Sequence, residues 1–490
     1  MTAAREQELL ASVPTGLFIG GEWRESTSGA TFPVIDPSTG EVLAHVADAA
    51  PEDGEAALAA AASAQSGWAA TAPRERGEIL RRAFELVTAR ADDFSLVMTL
   101  EMGKPIAESR AEVGYGAEFL RWFSEEAPRI SGRYATAPDG RNRLLVAKRP
   151  VGPSLLITPW NFPLAMATRK IAPALAAGCT SVLKPAALTP LTALLFAEVL
   201  REAGVPDGVV NVIPTTRAGA VTGPLIKDAR LRKLSFTGST EVGRRLIADA
   251  ADQVLRVSME LGGNAPFLVF EDADLDAAVE GALLAKLRNG GEACVAANRF
   301  LVHESIVEEF SARLVGRMRQ TVVARGTDPT STLGPLVDEA TRTKVADLVD
   351  GAIDDGARLA LGGETPTGAG YFYPATVLVD VPHDARILQE EIFGPVAPIT
   401  AFRDEDEAVR LANASEYGLV CFAYTRDLNR GLRLAERLET GMFGLNTGLV
   451  SNPAAPFGGV KQSGLGREGG FEGIDEYLET TYIGISDPFA

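Results

Sequence analysis

From Pro51 to about Ala127 apolar residues recur at helical spacing, as in Ala83-Phe84, Leu86-Val87 and Phe94 with Leu96-Val97-Met98, separated by charged positions. The pattern predicts a mainly helical segment. It breaks at Gly132–Ala137 and Arg143-Leu144-Leu145-Val146-Ala147, two runs around the turn pair Asp139-Gly140, which read as a hairpin-like excursion whose apolar edge needs a partner. After Pro150 strands and helices alternate. Ser154–Thr158, Thr180–Lys184, Val209–Ile213 and Leu231–Phe236 are predicted strands; Pro163–Ala177, Leu191–Ala203 and Glu241–Ala251 are predicted helices. This is the pattern of a doubly wound parallel sheet, whose ligands lie beyond the carboxyl ends of the strands. The rule singles out Thr158-Pro159-Trp160-Asn161, Lys184-Pro185-Ala186 and Thr237-Gly238-Ser239. A second alternating region runs from Pro266 to about Pro453, with long helices predicted over Ile306–Val323 and Ala340–Gly356. The tail Asp475–Ile485 alternates loosely and reads as a strand which, with the 132–150 excursion, is a candidate for subunit pairing.

The chain has 490 residues, too many for one hydrophobic core, so two or more domains are expected. Its 47 Lys and Arg against 65 Asp and Glu give 47 − 65 = −18. So acidic a surface argues against nucleic acid or an anionic membrane as partner, and small anions must be captured by local cationic clusters. Three cysteines without metal-ligand spacing suit a reducing compartment, and three scattered histidines (His45, His303, His383) offer no metal site. Met1–Leu10 lacks the pattern of a secretory leader, and no stretch has about 18 uninterrupted apolar residues, so a cytoplasmic location is expected.

Cys179 and Cys421 sit in apolar runs and read as buried packing residues. Cys294 differs. It follows the polar, glycine-rich Arg288-Asn289-Gly290-Gly291-Glu292-Ala293, with no histidine near it in sequence, and reads as a nucleophile whose base is not an imidazole. Gly464-Leu465-Gly466-Arg467-Glu468-Gly469 fits the dinucleotide fingerprint by spacing, but it neither follows a strand of a βαβ unit nor leaves room for the later acidic residue, and we reject it as a pyrophosphate loop. Phe236–Gly243 joins a strand to a helix and is the better candidate.

In chain order, Pro159-Trp160-Asn161-Phe162-Pro163, Lys184-Pro185-Ala186, Phe236-Thr237-Gly238-Ser239, Met259-Glu260-Leu261-Gly262-Gly263-Asn264, the Cys294 segment and Glu391-Ile392-Phe393-Gly394-Pro395 together resemble the aldehyde dehydrogenase superfamily over almost the whole chain. The resemblance implies an α/β fold. A Rossmann-type cofactor domain would comprise 1–131 and 151–262, an α/β catalytic domain 263–470, and a small β oligomerisation element 132–150 and 471–490, in a homodimer or homotetramer. It implies oxidation of an aldehyde to a carboxylate with NADP or NAD. Cys294 would be the nucleophile, Asn161 with the cysteine N–H the oxyanion donors, and Glu260 the general base that releases the thioacyl group.

For the cofactor, the resemblance implies contacts from Thr158, Pro159, Trp160, Lys184, Gly238, Ser239, Glu391 and Phe393. At Ala187, NAD-preferring members often carry a glutamate for the ribose hydroxyls; alanine leaves room for a 2′-phosphate and favours NADP. Arg169, Arg288 and Ser451 match residues that grip the distal carboxylate in members acting on succinate semialdehyde, with internal salt bridges as the alternative for the arginines. Other substrates compatible with the pattern are glutarate semialdehyde or a broader aldehyde range; a catalytically silent binding protein is the non-enzymatic alternative. Two departures stand out. Ala296 occupies the place where some relatives have a second cysteine, so oxidants should act at Cys294 alone, as sulfenic acid or mixed disulfide. Glu292-Ala293 replaces the frequent Gln-Thr and puts a further carboxylate beside the thiol in sequence.

Overall fold

The computed structural model describes residues 2–487; Met1 and residues 488–490, the end of the expected tail segment, lie outside it. Two large sheets organise the chain. The first has eight strands in the order Glu22–Arg24, Leu17–Ile19, Val210–Val212, Ser181–Lys184, Ser154–Ile157, Lys233–Thr237, Arg256–Glu260, Gly464–Leu465. Its five central strands are parallel and its additions at both edges antiparallel. The parallel part starts in the middle at Ser154–Ile157, winds one way to Val210–Val212, then returns to wind the other way from Lys233–Thr237. That reversal opens a crevice between the loops after Ile157 and Thr237.

The second sheet has seven strands in the order Arg358–Leu361, Thr376–Val379, Val396–Phe402, Ala297–His303, Ala265–Val269, Val420–Tyr424, Met442–Leu445, parallel except for the first. The excursion and the tail find each other: Asn142–Pro150 pairs with Leu478–Ser486 along its full length and with Arg133–Thr136 on its other side. Arg133–Thr136 remains a fully exposed edge.

The predicted helical segment forms as Pro51–Ala70, Pro73–Ala89, Ala91–Met102 and Ile106–Glu126. Four short strands before it, Leu17–Ile19, Glu22–Arg24, Thr31–Ile35 and Val42–Ala47, lie in a stretch to which the periodicity reading assigned no elements. The helix predicted over 306–323 stops at Met318. Beyond it the β-branched run Thr321-Val322-Val323 is extended, with Val322 and Val323 bonded to Thr332 and Leu333.

Two buried acids tie this helical layer to the parallel sheet. Glu112 accepts from the backbone N–H groups of Leu164 and Ala165 (3.0 and 3.1 Å), capping the wholly buried helix Pro163–Ala177 where Pro163 has no N–H to offer. Glu101 does the same for Leu191 and Thr192 at the next helix, Leu191–Glu202 (2.7 and 2.9 Å). Burial pushes the Glu101 carboxyl up to about 7.

Candidate active site

The nucleophile segment is shaped by three consecutive left-handed residues, Asn289 (φ 55°), Gly290 (63°) and Gly291 (80°), after the helix Leu275–Leu287. A β-carbon on Gly291 would stand 2.2 Å from the Gly394 carbonyl, so only glycine lets this segment touch the Glu391–Pro395 loop. Lys286 fastens the same contact, donating to the Gly394 carbonyl (3.2 Å) and to Asn298 Oδ1 (2.9 Å). Burial holds its amine down at about 7.

Asn289 Nδ2 donates to the carbonyls of Asn161 (3.0 Å) and Glu292 (2.9 Å), and Asn161 Nδ2 also donates to the Glu292 carbonyl (2.9 Å). Lys104 Nζ, fully buried and paired with Glu112 at 2.6 Å, donates to the Asn161 carbonyl at 2.7 Å. The amide of Asn161 is thereby fixed beside the nucleophile segment with one N–H still free. The backbone N–H of Cys294 makes no hydrogen bond among the described residues.

Glu260 ends the strand Arg256–Glu260 and is buried, with Oε2 unpartnered. Burial first, and Glu468 second, push its carboxyl well above the usual range, against the pull of Arg169 and Lys170. Burial also pushes the Cys294 thiol up to about 12; Arg169 and Arg288 pull it down while Glu391 and Glu260 oppose them. Glu292 accepts from the Val337 N–H (3.0 Å), and burial raises its carboxyl well above the usual range. The thiol therefore stays protonated at neutral pH without cofactor. Iodoacetamide labelling of Cys294 should be slow at pH 7 and climb about tenfold per pH unit through pH 9; a plateau below pH 8, read by peptide mass spectrometry, would contradict this.

A cleft with roughly 800 Å³ of open space brings together Pro159, Trp160, Asn161, Gly238, Ser239, Cys294, Glu391 and Phe393. Ser239 caps the helix Thr240–Ala251 through Val242 N–H (3.4 Å). Phe393 adopts φ 58°, uncommon for a bulky residue, and meets Trp160 edge to face at 5.4 Å. Glu391 accepts from Gly263 N–H (3.0 Å), and burial pushes its carboxyl up to about 7. Lys184 and Thr158 lie beside this wall at paired strand ends, joined by a Thr158 N–H to Lys184 carbonyl bond of 3.2 Å. Lys184 Nζ is buried without a partner among the described residues, and burial lowers it to about 8. Ala187 is half-buried just after it. Met166, Thr341 and Lys344 also line the cleft, and Lys344 donates to the Glu391 carbonyl (2.6 Å).

The two arginines differ. Arg169 is buried, ion-paired with Glu468 and stacked on Phe457 at 4.2 Å, with Nη2 unpartnered. The internal salt bridge weighed from sequence therefore exists for Arg169. Among the described residues Arg288 has no ion-paired carboxylate; its guanidinium stacks on Phe162 (4.9 Å) and Tyr115 (5.8 Å). Ser451 is half-buried in the loop after Met442–Leu445, and its hydroxyl makes no hydrogen bond among the described residues. None of the three lines the cleft itself.

The rejected glycine motif has a structural use: Gly464–Leu465 pairs antiparallel with Met259 and Glu260, where a β-carbon on Gly464 would overlap the Met259 carbonyl at 1.8 Å. Its Glu468 holds Arg169 and Lys170.

Residues 23–483 match the aldehyde dehydrogenase family. The chain is 64% identical over 448 residues to a succinate-semialdehyde dehydrogenase of Paenarthrobacter nicotinovorans, covering 91% of this chain and all of that one. It is 48% identical to the NADP(+) succinate-semialdehyde dehydrogenase of Escherichia coli (95% and 97% covered) and 47% identical to a glutarate-semialdehyde dehydrogenase of Pseudomonas putida (96% and 97%).

Proposed function

Because the chain belongs to the aldehyde dehydrogenase family, we propose that it oxidises succinate semialdehyde to succinate with NADP or NAD. In this reading Cys294, once deprotonated, attacks the aldehyde carbon. The free N–H of Asn161 and the N–H of Cys294 receive the thiohemiacetal oxyanion. The bound nicotinamide supplies the acceptor for the hydride that leaves this carbon. Glu260, with an unpartnered oxygen and a raised carboxyl, takes a proton from the water that releases the acid and returns the thiol. Lys184, Gly238 and Ser239 would hold the adenosine and pyrophosphate; Thr158, Pro159 and Trp160 the strand-end wall; Glu391 and Phe393 the nicotinamide ribose and ring. Ala187 favours NADP.

The observation that carries the substrate class is Arg288, a guanidinium without a carboxylate partner in a chain of net charge −18, stacked on the ring next to Asn161. Arg169 and Ser451 would complete the grip on the distal anion. We expect Arg288→Ala to lower kcat/KM for succinate semialdehyde about 30- to 1,000-fold, as for a desolvated charge pair, with little change for butanal; equal losses on both would exclude the assignment. Arg169→Ala is the poorer test, since it removes one of the two cations paired with buried Glu468 and unsettles the fold. Steady-state assay with succinate semialdehyde against both cofactors tests the whole reading, and a tenfold preference for NAD would overturn the cofactor choice. Glutarate semialdehyde is the second reading, supported by the Pseudomonas putida relative; one methylene changes specificity by only about 1–3 kcal/mol.

Residues 1–131 with 151–262 would form the cofactor domain, 263–470 the catalytic domain, and 132–150 with 471–490 the oligomerisation element. The exposed edge Arg133–Thr136 supports pairing with a second copy in a dimer or tetramer. Three free cysteines support a cytoplasmic location.

A further inference from the structure

We propose that Tyr115 determines specificity for the anionic end of the substrate, its phenolic hydrogen bonding that group between Arg169 and Arg288; this rests on the anionic-aldehyde reading above. The helix Ile106–Glu126 turns one stripe toward the site, formed by Glu108, Glu112, Tyr115 and Phe119 at spacings of four, three and four. Glu108 accepts from the Asn289 N–H of the nucleophile segment, and Glu112 caps the helix that follows Asn161. Tyr115 continues this stripe into the substrate side. It belongs to the same apolar cluster as Cys294, Phe162, Met166 and Phe457.

Its surroundings are unusual for a packing tyrosine. Its hydroxyl faces the Arg169 guanidinium, and the Arg288 guanidinium lies 5.8 Å from its ring. A phenol oxygen beside two guanidiniums, which only donate, must turn its single hydrogen elsewhere, and no carbonyl or carboxylate among the described residues takes it. Arg169 Nη2 is buried beside it without a partner. One hydroxyl hydrogen and one guanidinium N–H, both unsatisfied, next to an unpaired guanidinium, make a donor set for a carboxylate and leave an uncharged chain end nothing to gain. The ring itself stands edge-on to Phe119 at 5.1 Å, a contact that phenylalanine preserves.

The experiment compares kcat/KM for succinate semialdehyde and for butanal in the wild type and in Tyr115→Phe. The expected result is a loss of about ten- to a hundredfold on succinate semialdehyde, mainly in KM, with less than about threefold on butanal. A wild-type enzyme that does not favour the anionic aldehyde overturns the substrate reading on which this rests. A wild type that favours it, with a Phe variant that keeps the same ratio of the two substrates, overturns the role of Tyr115 alone. Should the Phe variant not fold, Tyr115→Met fills the volume without the oxygen and reads the same ratio.

Discussion

Replacing Cys294 by serine should abolish turnover, lowering kcat by about 10⁴-fold or more. The change is nearly isosteric. Asn161, Asn289 and Lys104 are fixed to backbone carbonyls of Asn161 and Glu292, so the site stays assembled. What is lost is the ionisable sulfur. A buried hydroxyl is far harder to deprotonate than a thiol, and no imidazole stands by to help. His303 lies against Ser305 and the Arg403 carbonyl, and His383 near Thr400. Residual turnover above about one per cent in a correctly folded variant, or no adduct at Cys294 by mass spectrometry of stalled wild-type enzyme, would disprove the nucleophile assignment.

Glu260→Gln should lower steady-state kcat by about 10³–10⁴-fold, the upper part of what a positioned base contributes. A near-stoichiometric burst of reduced cofactor should remain. The carboxyl has an unpartnered oxygen and its backbone carbonyl accepts from Gly238 (3.1 Å), so glutamine keeps the shape and loses the basicity. The thioacyl enzyme then accumulates and is visible by mass spectrometry. In the wild type the base must be ionised; its carboxyl is raised in the folded site, so the hydrolytic step slows as pH falls through that raised value, above the ordinary range of a glutamate. Loss of the burst together with kcat would instead place Glu260 in activating the thiol.

The parallel strands and the loops at their carboxyl ends were legible because long apolar runs alternate with helical periodicity there, and the switch point follows from connection rules alone. Asn161 and Glu260 were singled out only by the resemblance to the family, and Cys294 by its polar, glycine-rich setting together with that resemblance. Neither route found Lys104, Glu101, Glu108 or Glu112. Acids and a lysine in an alanine-rich helical segment read as solvated faces, yet Lys104, Glu101 and Glu112 are buried, satisfied by helix N-termini or by one another. Their partners lie 52 and 90 positions away, and no local pattern encodes that pairing. Asn289 was likewise invisible, because a left-handed asparagine differs from any other only in its φ angle. Arg169 illustrates the reverse problem. Its place near the nucleophile follows from the helix after Asn161, but its pairing depends on Glu468, almost 300 residues later.

That long reach has a kinetic meaning. The strand bearing Glu260 is flanked on its outer side by Gly464–Leu465, and among the described residues Lys170 and Arg169 are ion-paired with Glu468 alone. On the ribosome, a nascent chain shorter than about 470 residues plus the length of the exit tunnel would carry every motif yet have an open sheet edge and two uncompensated buried cations. Assembly of the site therefore waits for the segment Gly464–Glu468, and a premature stop between about residues 441 and 463 should yield a species that is dead and aggregation-prone.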